Sequence, residues 1–195
     1  MIPAARDQPF SRSRVFLDKE HEEALVRDCR KGDRRALDTL VRRFERPVYN
    51  AAYRLLGNPD DAADVTQTTF LKLFGNLDHY RPQFRLFSWI YRIAVNEAIH
   101  QLNRRRHREP LREIPDIDTS EDSAVRDEVR REIQSVLMEL QEDHRAVIVL
   151  RYFSGCSYGE IGEILELPDK TVKSRLYTAR QQLKCRFRDR GVFPE

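Results

Sequence analysis

Three groupings of residues in this chain could do chemistry. The first is a set of carboxylates, Asp60, Asp61 and Asp64, close enough at a helix start to hold a divalent metal for hydrolysis. Acidic residues in a first turn also complement the helix dipole, and neither a second ligand cluster nor a histidine base accompanies them. The second grouping is Trp89, Arg92, Asn96, His100 and Asn103, running out into Arg104, Arg105, Arg106 and Arg108. Rings stack on bases, amides read base edges and guanidinium groups hold phosphates, so this is the chemistry of nucleic-acid contact. The bland reading of the same residues is a core tryptophan and a solvated basic helix end. The third grouping lies between Asp169 and Arg190, where eight Lys/Arg stand against two Asp. Lys173, Ser174, Tyr177, Gln181 and Lys184 fall on one helix face, with Arg175 and Arg180 on its flanks, within reach of phosphates.

The elements that must position these groups are helical. Ser157 with Glu160 three residues later has the spacing of a capping box, and Ile161, Ile164 and Leu165 give the helix behind it an apolar face. Leu167-Pro168-Asp169 breaks that helix, with Asp169 expected to cap the next. The next carries Val172, Leu176, Ala179 and Leu183 on its inner side. A short helix, a tight turn and a basic helix is the pattern of a helix-turn-helix; an ordinary helical hairpin with a solvated basic face is the alternative.

Upstream, a helical pattern begins near Lys19 and breaks at Gly32-Asp33; Pro47 either ends the second helix or begins its continuation, and Gly57-Asn58-Pro59 is a turn. The helix from Pro59 to about Leu77 sends Ala62, Val65, Thr66, Thr69, Leu73 and Leu77 to a core. Asp64, Gln67, Leu71 and Phe74 lie on its other side, which is either a partner-binding face or a surface covered by another part of the chain. Ile90, Ile93, Ala94, Ala98 and Leu102 form the apolar face of the Trp89 helix. Past the arginines, Pro110, Pro115, Asp116, Asp118, Glu121 and Asp122 make an acidic linker, and four short helices follow.

Composition agrees with this outline. Of 195 residues, 34% are charged and only seven are glycine, which favours surface-charged helices over a sandwich or a dinucleotide fold. The net charge of +3 says little, so the segregation of basic residues matters more than their sum. Cys29, Cys156 and Cys185 are far apart, with no C-x-x-C, and the histidines have no metal-ligand spacing. A disulfide scaffold and a zinc knuckle are therefore disfavoured, and a reducing cytosol is expected. No signal peptide, membrane span, metal, cofactor or catalytic residue is expected. The expected architecture is all-α, with two small helical domains joined by a flexible acidic linker, the second bearing the helix-turn-helix. The boundaries are a tail at 1–18, a first domain at 19–108, a linker at 109–127 and a second domain at 128–190.

Four segments, DDAADVTQTTFLKLF, FRLFSWIYRIAVNEAIHQLNRRRHR, HRAVIVLRYFSGCSYGEIGEILELP and KTVKSRLYTARQQLK, in this order around such a linker, resemble the small two-domain extracytoplasmic-function sigma factors of bacterial RNA polymerase. The resemblance covers residues 22–187. It implies that Asp64, Gln67, Thr68, Phe70, Leu71 and Phe74 dock on the polymerase core, with Thr68 standing where the family usually has an acidic residue. It implies that residues 81–106 recognise and melt the minus-ten promoter element, through Tyr80, Arg85, Phe87, Trp89, Arg92, Asn96, Arg104 and Arg105, the loop ahead of Trp89 holding a flipped base. It implies that Lys170, Thr171, Lys173, Ser174, Arg175, Tyr177, Thr178 and Arg180 read the minus-thirty-five duplex, with Thr178 where the family often has an arginine. Core RNA polymerase and promoter DNA are the implied partners. An anti-sigma factor joins them as a candidate, because many members are held inactive by one. Two rivals stand beside this: a stand-alone helix-turn-helix regulator that binds duplex DNA without polymerase, and a metal-dependent nuclease built on Asp60, Asp61 and Asp64.

Overall fold

The computed structural model describes residues 18–106 and 124–191, and every regular element among them is helical. Residues 1–17 of the expected tail, most of the acidic linker and Arg108 lie outside the described residues.

The first domain is built from α1 (Lys19–Arg30), α2 (Arg34–Leu56), α3 (Pro59–Gly75) and α4 (Leu86–Arg106), with a short 3-10 turn at Leu77–His79. Local chemistry sets each start. The Asp18 carboxylate accepts from the His21 N–H, that of Asp33 from Arg35 and Ala36, and the Asn58 side chain from the Asp61 N–H ahead of Pro59 in the first turn. Pro47 does not end α2, which runs through it to Gly57, where φ of 70° supplies the left-handed cap. Pro47 has no N–H to give the ladder, but its carbonyl accepts from the Tyr91 hydroxyl of α4 at 3.2 Å. In α3, the two buried threonines satisfy themselves on their own helix, Thr66 to Ala62 O and Thr69 to Val65 O.

The second domain comprises α5 (Ala124–Met138), α6 (Glu142–Ile148), α7 (Tyr158–Leu165) and α8 (Asp169–Asp189). Helix α5 begins four residues before the expected edge of the linker. Helix α6 runs on into a wider π turn at Val149–Phe153, closed by Ser154 N–H to Val149 O at 3.0 Å. The Ser157–Glu160 capping box is present in both directions. Asp169 is the first residue of α8 rather than its cap; the Pro168 carbonyl takes the Thr171 and Val172 amides.

The helix-turn-helix turn is tight. Leu167 N–H bonds Gly162 O at 2.9 Å, and a Cβ on Gly162 would meet Leu167 O at 2.8 Å, so only glycine fits there. Glu166 closes α7 at φ 55°, the left-handed region, and no other non-glycine residue described has a positive φ.

The two domains are packed together. Their buried apolar side chains form one continuous cluster, from Val26 in α1 to Ala179 in α8. Helix α4 is therefore covered on two sides, which is why Tyr91 and Val95 are buried as well as Ile90, Ala94 and Ala98. The sequence pattern gives α4 one apolar face; the second covered side includes Tyr91, whose hydroxyl reaches Pro47 O of α2, and α4 also packs on α7.

Candidate nucleic-acid interface

The loop before α4 is anchored from α1 by two charged residues. The Arg30 guanidinium donates to the carbonyls of Leu77 (2.8 Å), Tyr80 (3.0 Å) and Asp78 (3.3 Å). The Glu22 carboxylate, 1% exposed, accepts from Arg85 and from the Leu86 N–H, the first amide of α4. Neither Glu22 nor Arg30 stood out in the sequence, since their partners lie dozens of residues away.

This anchoring reassigns three of the expected minus-ten residues. Arg85 is tied to Glu22 and holds the loop instead of facing outward unpaired. Phe87 is 1% exposed and stacked on Tyr91 at 4.1 Å, so it is core. Tyr80 is buried as well, its hydroxyl donating to Phe84 O at 2.9 Å. Burial, reinforced by Glu22 and Glu23, pushes its phenol up to about 12. Arg81, Pro82, Gln83 and Phe84 of the loop are left at the surface. Trp89 is half-buried, its ring 5.4 Å from that of Tyr80.

Further along α4, Asn96, His100, Asn103 and Arg104 are exposed on one flank. Arg105 pairs with Asp61 of α3, and Gln101 donates to the same carboxylate at 2.6 Å. The carboxylate most central to a metal-binding reading is thus occupied by a cation and an amide. Between α3 and α4 lies a cleft of about 910 Å³, lined by Asp64, Gln67, Thr68, His100, Arg104 and others. It brings expected polymerase-facing and minus-ten residues to one groove.

On the outer face of α3, Asp64, Gln67 and Leu71 are exposed, Leu71 at 65%, while Thr68 and Phe74 are half-buried. No other part of the described chain covers Leu71. Phe70, expected on this face, is buried against Phe74 with ring centroids 6.0 Å apart. Its position belongs to the core stripe of α3, beside Thr69 and Leu73.

In α8, Val172, Leu176 and Ala179 are buried and Leu183 is half-buried. That inner face turns Lys170, Lys173, Ser174, Tyr177 and Arg180 to the exterior, with Thr171 and Thr178 half-exposed. Tyr177 is 60% exposed. Not all the basic charge is free: Arg175 pairs with Asp143 at 2.7 Å, Arg186 with Glu139 and Arg190 with Glu132. The C-terminal end of α8 is thereby tied to α5 and the residue after it, while Lys170, Lys173 and Arg180 have no such carboxylate partner among the described residues.

Two helical units, each presenting cationic, amide and aromatic side chains on an outer surface, define a sequence-reading DNA-binding protein. Residues 40–108 match the model of Sigma-70 region 2, and residues 130–183 that of Sigma-70, region 4. The chain is 30% identical to the RNA polymerase sigma-H factor of Pseudomonas aeruginosa, over 86% of this chain and 94% of that one. It is 31% identical to the ECF RNA polymerase sigma factor SigW of Bacillus subtilis, over 84% and 95%. Among solved structures it resembles CnrH in complex with the cytosolic domain of CnrY, with a TM-score of 0.68 and 29% identity over 84% of this chain and 95% of that one. The chain belongs to the extracytoplasmic-function sigma factors of RNA polymerase. It is accordingly not an enzyme, and it directs RNA polymerase to promoters. No helix among the described residues is long and apolar enough to cross a membrane.

Proposed function

We propose a division of labour within the chain. The first domain, residues 19–108, docks on the polymerase core through Asp64, Gln67, Thr68, Leu71 and Phe74, and reads and opens the minus-ten element through Trp89, Arg92, Asn96 and Arg104. The second domain, residues 128–190, reads the minus-thirty-five duplex through Lys170, Lys173, Ser174, Tyr177, Thr178 and Arg180. The observation that carries this is the uncovered outer face of α3, with Leu71 in its middle, on the same domain as the exposed flank of α4. A stand-alone repressor has no use for that apolar face.

Trp89 is suited to opening because it is only half-buried and rests on Tyr80, leaving ring surface for a base at the loop edge. Stacking contributes about 1–3 kcal/mol per base, comparable to the cost of extracting one. The chain works in the cytoplasm, where polymerase and promoter are. The likeness to CnrH, solved bound to a cytosolic domain, supports an anti-sigma protein as a further partner of this chain.

Run-off transcription with core polymerase, followed by sequencing of genomic start sites, tests the proposal. Start sites sharing two spaced elements support it. Tight, specific binding to duplex without polymerase, and no transcripts with it, would favour the stand-alone regulator.

A further inference from the structure

The shape of the loop between α3 and α4 is set by a side chain outside it. Arg30, the last residue of α1, donates to three loop carbonyls: Leu77 through both Nε (3.0 Å) and Nη2 (2.8 Å), Tyr80 at 3.0 Å and Asp78 at 3.3 Å. Its own seat is fixed by the turn that follows. The Lys31 N–H bonds the Arg27 and Asp28 carbonyls, and the Asp33 N–H bonds Asp28 O at 3.1 Å where Asp33 caps α2. Inside the loop, the Tyr80 N–H returns to Leu77 O at 3.1 Å, the Tyr80 hydroxyl donates to Phe84 O, and the Phe84 N–H bonds Arg81 O at 3.1 Å. Phe84 is left 39% exposed. The Arg92 guanidinium, which donates to the Glu166 carboxylate at 2.9 Å, lies 5.9 Å from the Phe84 ring centroid. Trp89 rests on Tyr80.

Gln134 and Arg145 also donate to main-chain carbonyls, and the contrast is informative. Gln134 Nε2 reaches Tyr53 O (3.2 Å) and Arg54 O (3.4 Å), and Arg145 reaches Leu55 O, all at the end of α2. The last carbonyls of a helix have no partner within it, so those bonds supply acceptors with donors they lack. Arg30 does something else. Leu77 O already takes the Tyr80 N–H, so its bonds to Arg30 are not needed to satisfy it. What the guanidinium adds is a fixed relation between three carbonyls and α1, for which a rigid planar fork is suited. Glu22 fixes the other end of the loop at Arg85 and Leu86. A loop ordered before its ligand arrives loses no conformational freedom on binding, and its side chains meet a wrong ligand in the same place as the right one.

We propose that Arg30 is a positioning residue for the minus-ten element. It touches no DNA. By holding the carbonyls of Leu77, Asp78 and Tyr80 it fixes where Phe84 and Trp89 meet an unpaired base, and so sets how sharply one position of the element is read. Helix α1 thereby takes part in promoter choice from behind the loop. The proposal rests on the minus-ten reading of this loop.

The test uses the full chain assembled with core polymerase. A fluorescent single-stranded oligonucleotide carrying the mapped minus-ten sequence is set against versions with one base replaced, and the ratio of affinities is the readout. A chain that is merely less stable loses every oligonucleotide in the same proportion and leaves that ratio alone. Arg30→Met keeps most of the side chain's length and removes its donors, while Leu77 O retains the Tyr80 N–H. It should lower discrimination at one position about five- to tenfold, with core affinity and binding of a minus-thirty-five duplex unchanged within about twofold. If Arg30→Met does not fold, Arg30→Gln, which keeps one donating nitrogen, decides in its place. Phe84→Ala should lose discrimination at the same position, and combining it with the Arg30 variant should lower the ratio no further, because Arg30 acts through the loop. A ratio unchanged at every position, an equal fall in all affinities, or additive losses in the double variant overturns the positioning role. Run-off transcription by the natural chain separates the two readings. Transcripts whose start sites share a minus-ten element, combined with any of those negative results, sink the positioning role alone, whereas no transcripts sink the minus-ten reading and the positioning role with it.

Discussion

The Glu22 carboxylate accepts the backbone N–H of Leu86 at 3.1 Å, 64 residues along the chain, so the first described helix caps the helix proposed to meet the minus-ten element. One buried acid thereby sets where α4 begins and how the Trp89 loop leaves it. Replacing it leaves both the Leu86 amide and the Arg85 guanidinium short of an acceptor. Glu22→Ala should lower the unfolding free energy by about 2–3 kcal/mol, read from urea titration. Trp89 is the sole tryptophan, so its emission reports the loop directly, and it should shift before the helical signal is lost. A two-state curve superimposable on the natural chain's would refute this role for Glu22.

Gln67 and Leu71 are exposed on α3 and support little of the fold. The double variant Gln67→Ala, Leu71→Ala should unfold within about 0.5 kcal/mol of the natural chain. It should nevertheless fail to co-elute with core polymerase at concentrations where the natural chain does. Co-elution at the natural ratio would remove this face from the docking surface.

Lys173 and Tyr177 are both exposed on α8 and differ in what they can contact. If Lys173 meets phosphate, Lys173→Ala weakens binding across sequences and lowers the salt slope by about 1. Tyr177→Ala should leave the slope alone and relax discrimination at one position of the minus-thirty-five duplex. Filter binding of the polymerase complex over a salt series distinguishes the two. Equal slopes for Lys173→Ala and the natural chain would place Lys173 off the phosphates.

Gly162 and Glu166 make opposite predictions for one turn. Gly162→Ala pushes a methyl into Leu167 O, a backbone atom, and should cost about 1–3 kcal/mol. Glu166→Gly relieves a left-handed residue and should raise stability by about 1 kcal/mol. Thermal melts decide both; a destabilised Glu166→Gly would mean that its bond to Arg92 outweighs the backbone strain.

Alkali should loosen the first domain. Burial, with Asp28 and Asp33 nearby, raises the Cys29 thiol from 9.0 to about 11. The folded state therefore keeps a proton that the unfolded chain gives up. The stability this represents is whole below about pH 9 and is lost as pH rises through about 11. Tyr80, raised to about 12, adds a second such group. Denaturant midpoints should fall steadily above pH 9, and at pH 8 an alkylating agent should modify the exposed Cys185 while sparing Cys29 and Cys156. Rapid labelling of all three in native protein would contradict the packing of α1.

Much of this fold was written locally. The capping box at Ser157 and Glu160, the turn at Gly57-Asn58-Pro59 and the apolar stripe Val172-Leu176-Ala179 each depend on residues within a few positions of one another, and each is found in the structure. Periodicity also separates a helix's inside from its outside: it places Leu71 and Tyr177 off the core stripes and leaves open what covers Leu71, and both are exposed. What it cannot do is name the element that covers a face. The family resemblance offers Tyr80 and Phe87 to the minus-ten element, yet both are buried, Phe87 on Tyr91 and Tyr80 with its hydroxyl on the Phe84 carbonyl. Arg85 belongs to the same implied set, and its partner, Glu22, is too far away in sequence for the pairing to be foreseen. Arg92 reads the same in both settings; only the docked second domain distinguishes an occupied guanidinium from a waiting one.

The bonds from Gln134 and Arg145 to the end of α2 have an asymmetry of their own. Their acceptors at Tyr53, Arg54 and Leu55 are main-chain oxygens, which every amino acid carries. Heredity therefore has no direct way to delete those acceptors from the first domain's side. Variants that lose these bonds should arise at Gln134 and Arg145, while the same carbonyls persist through any substitution that keeps α2 helical.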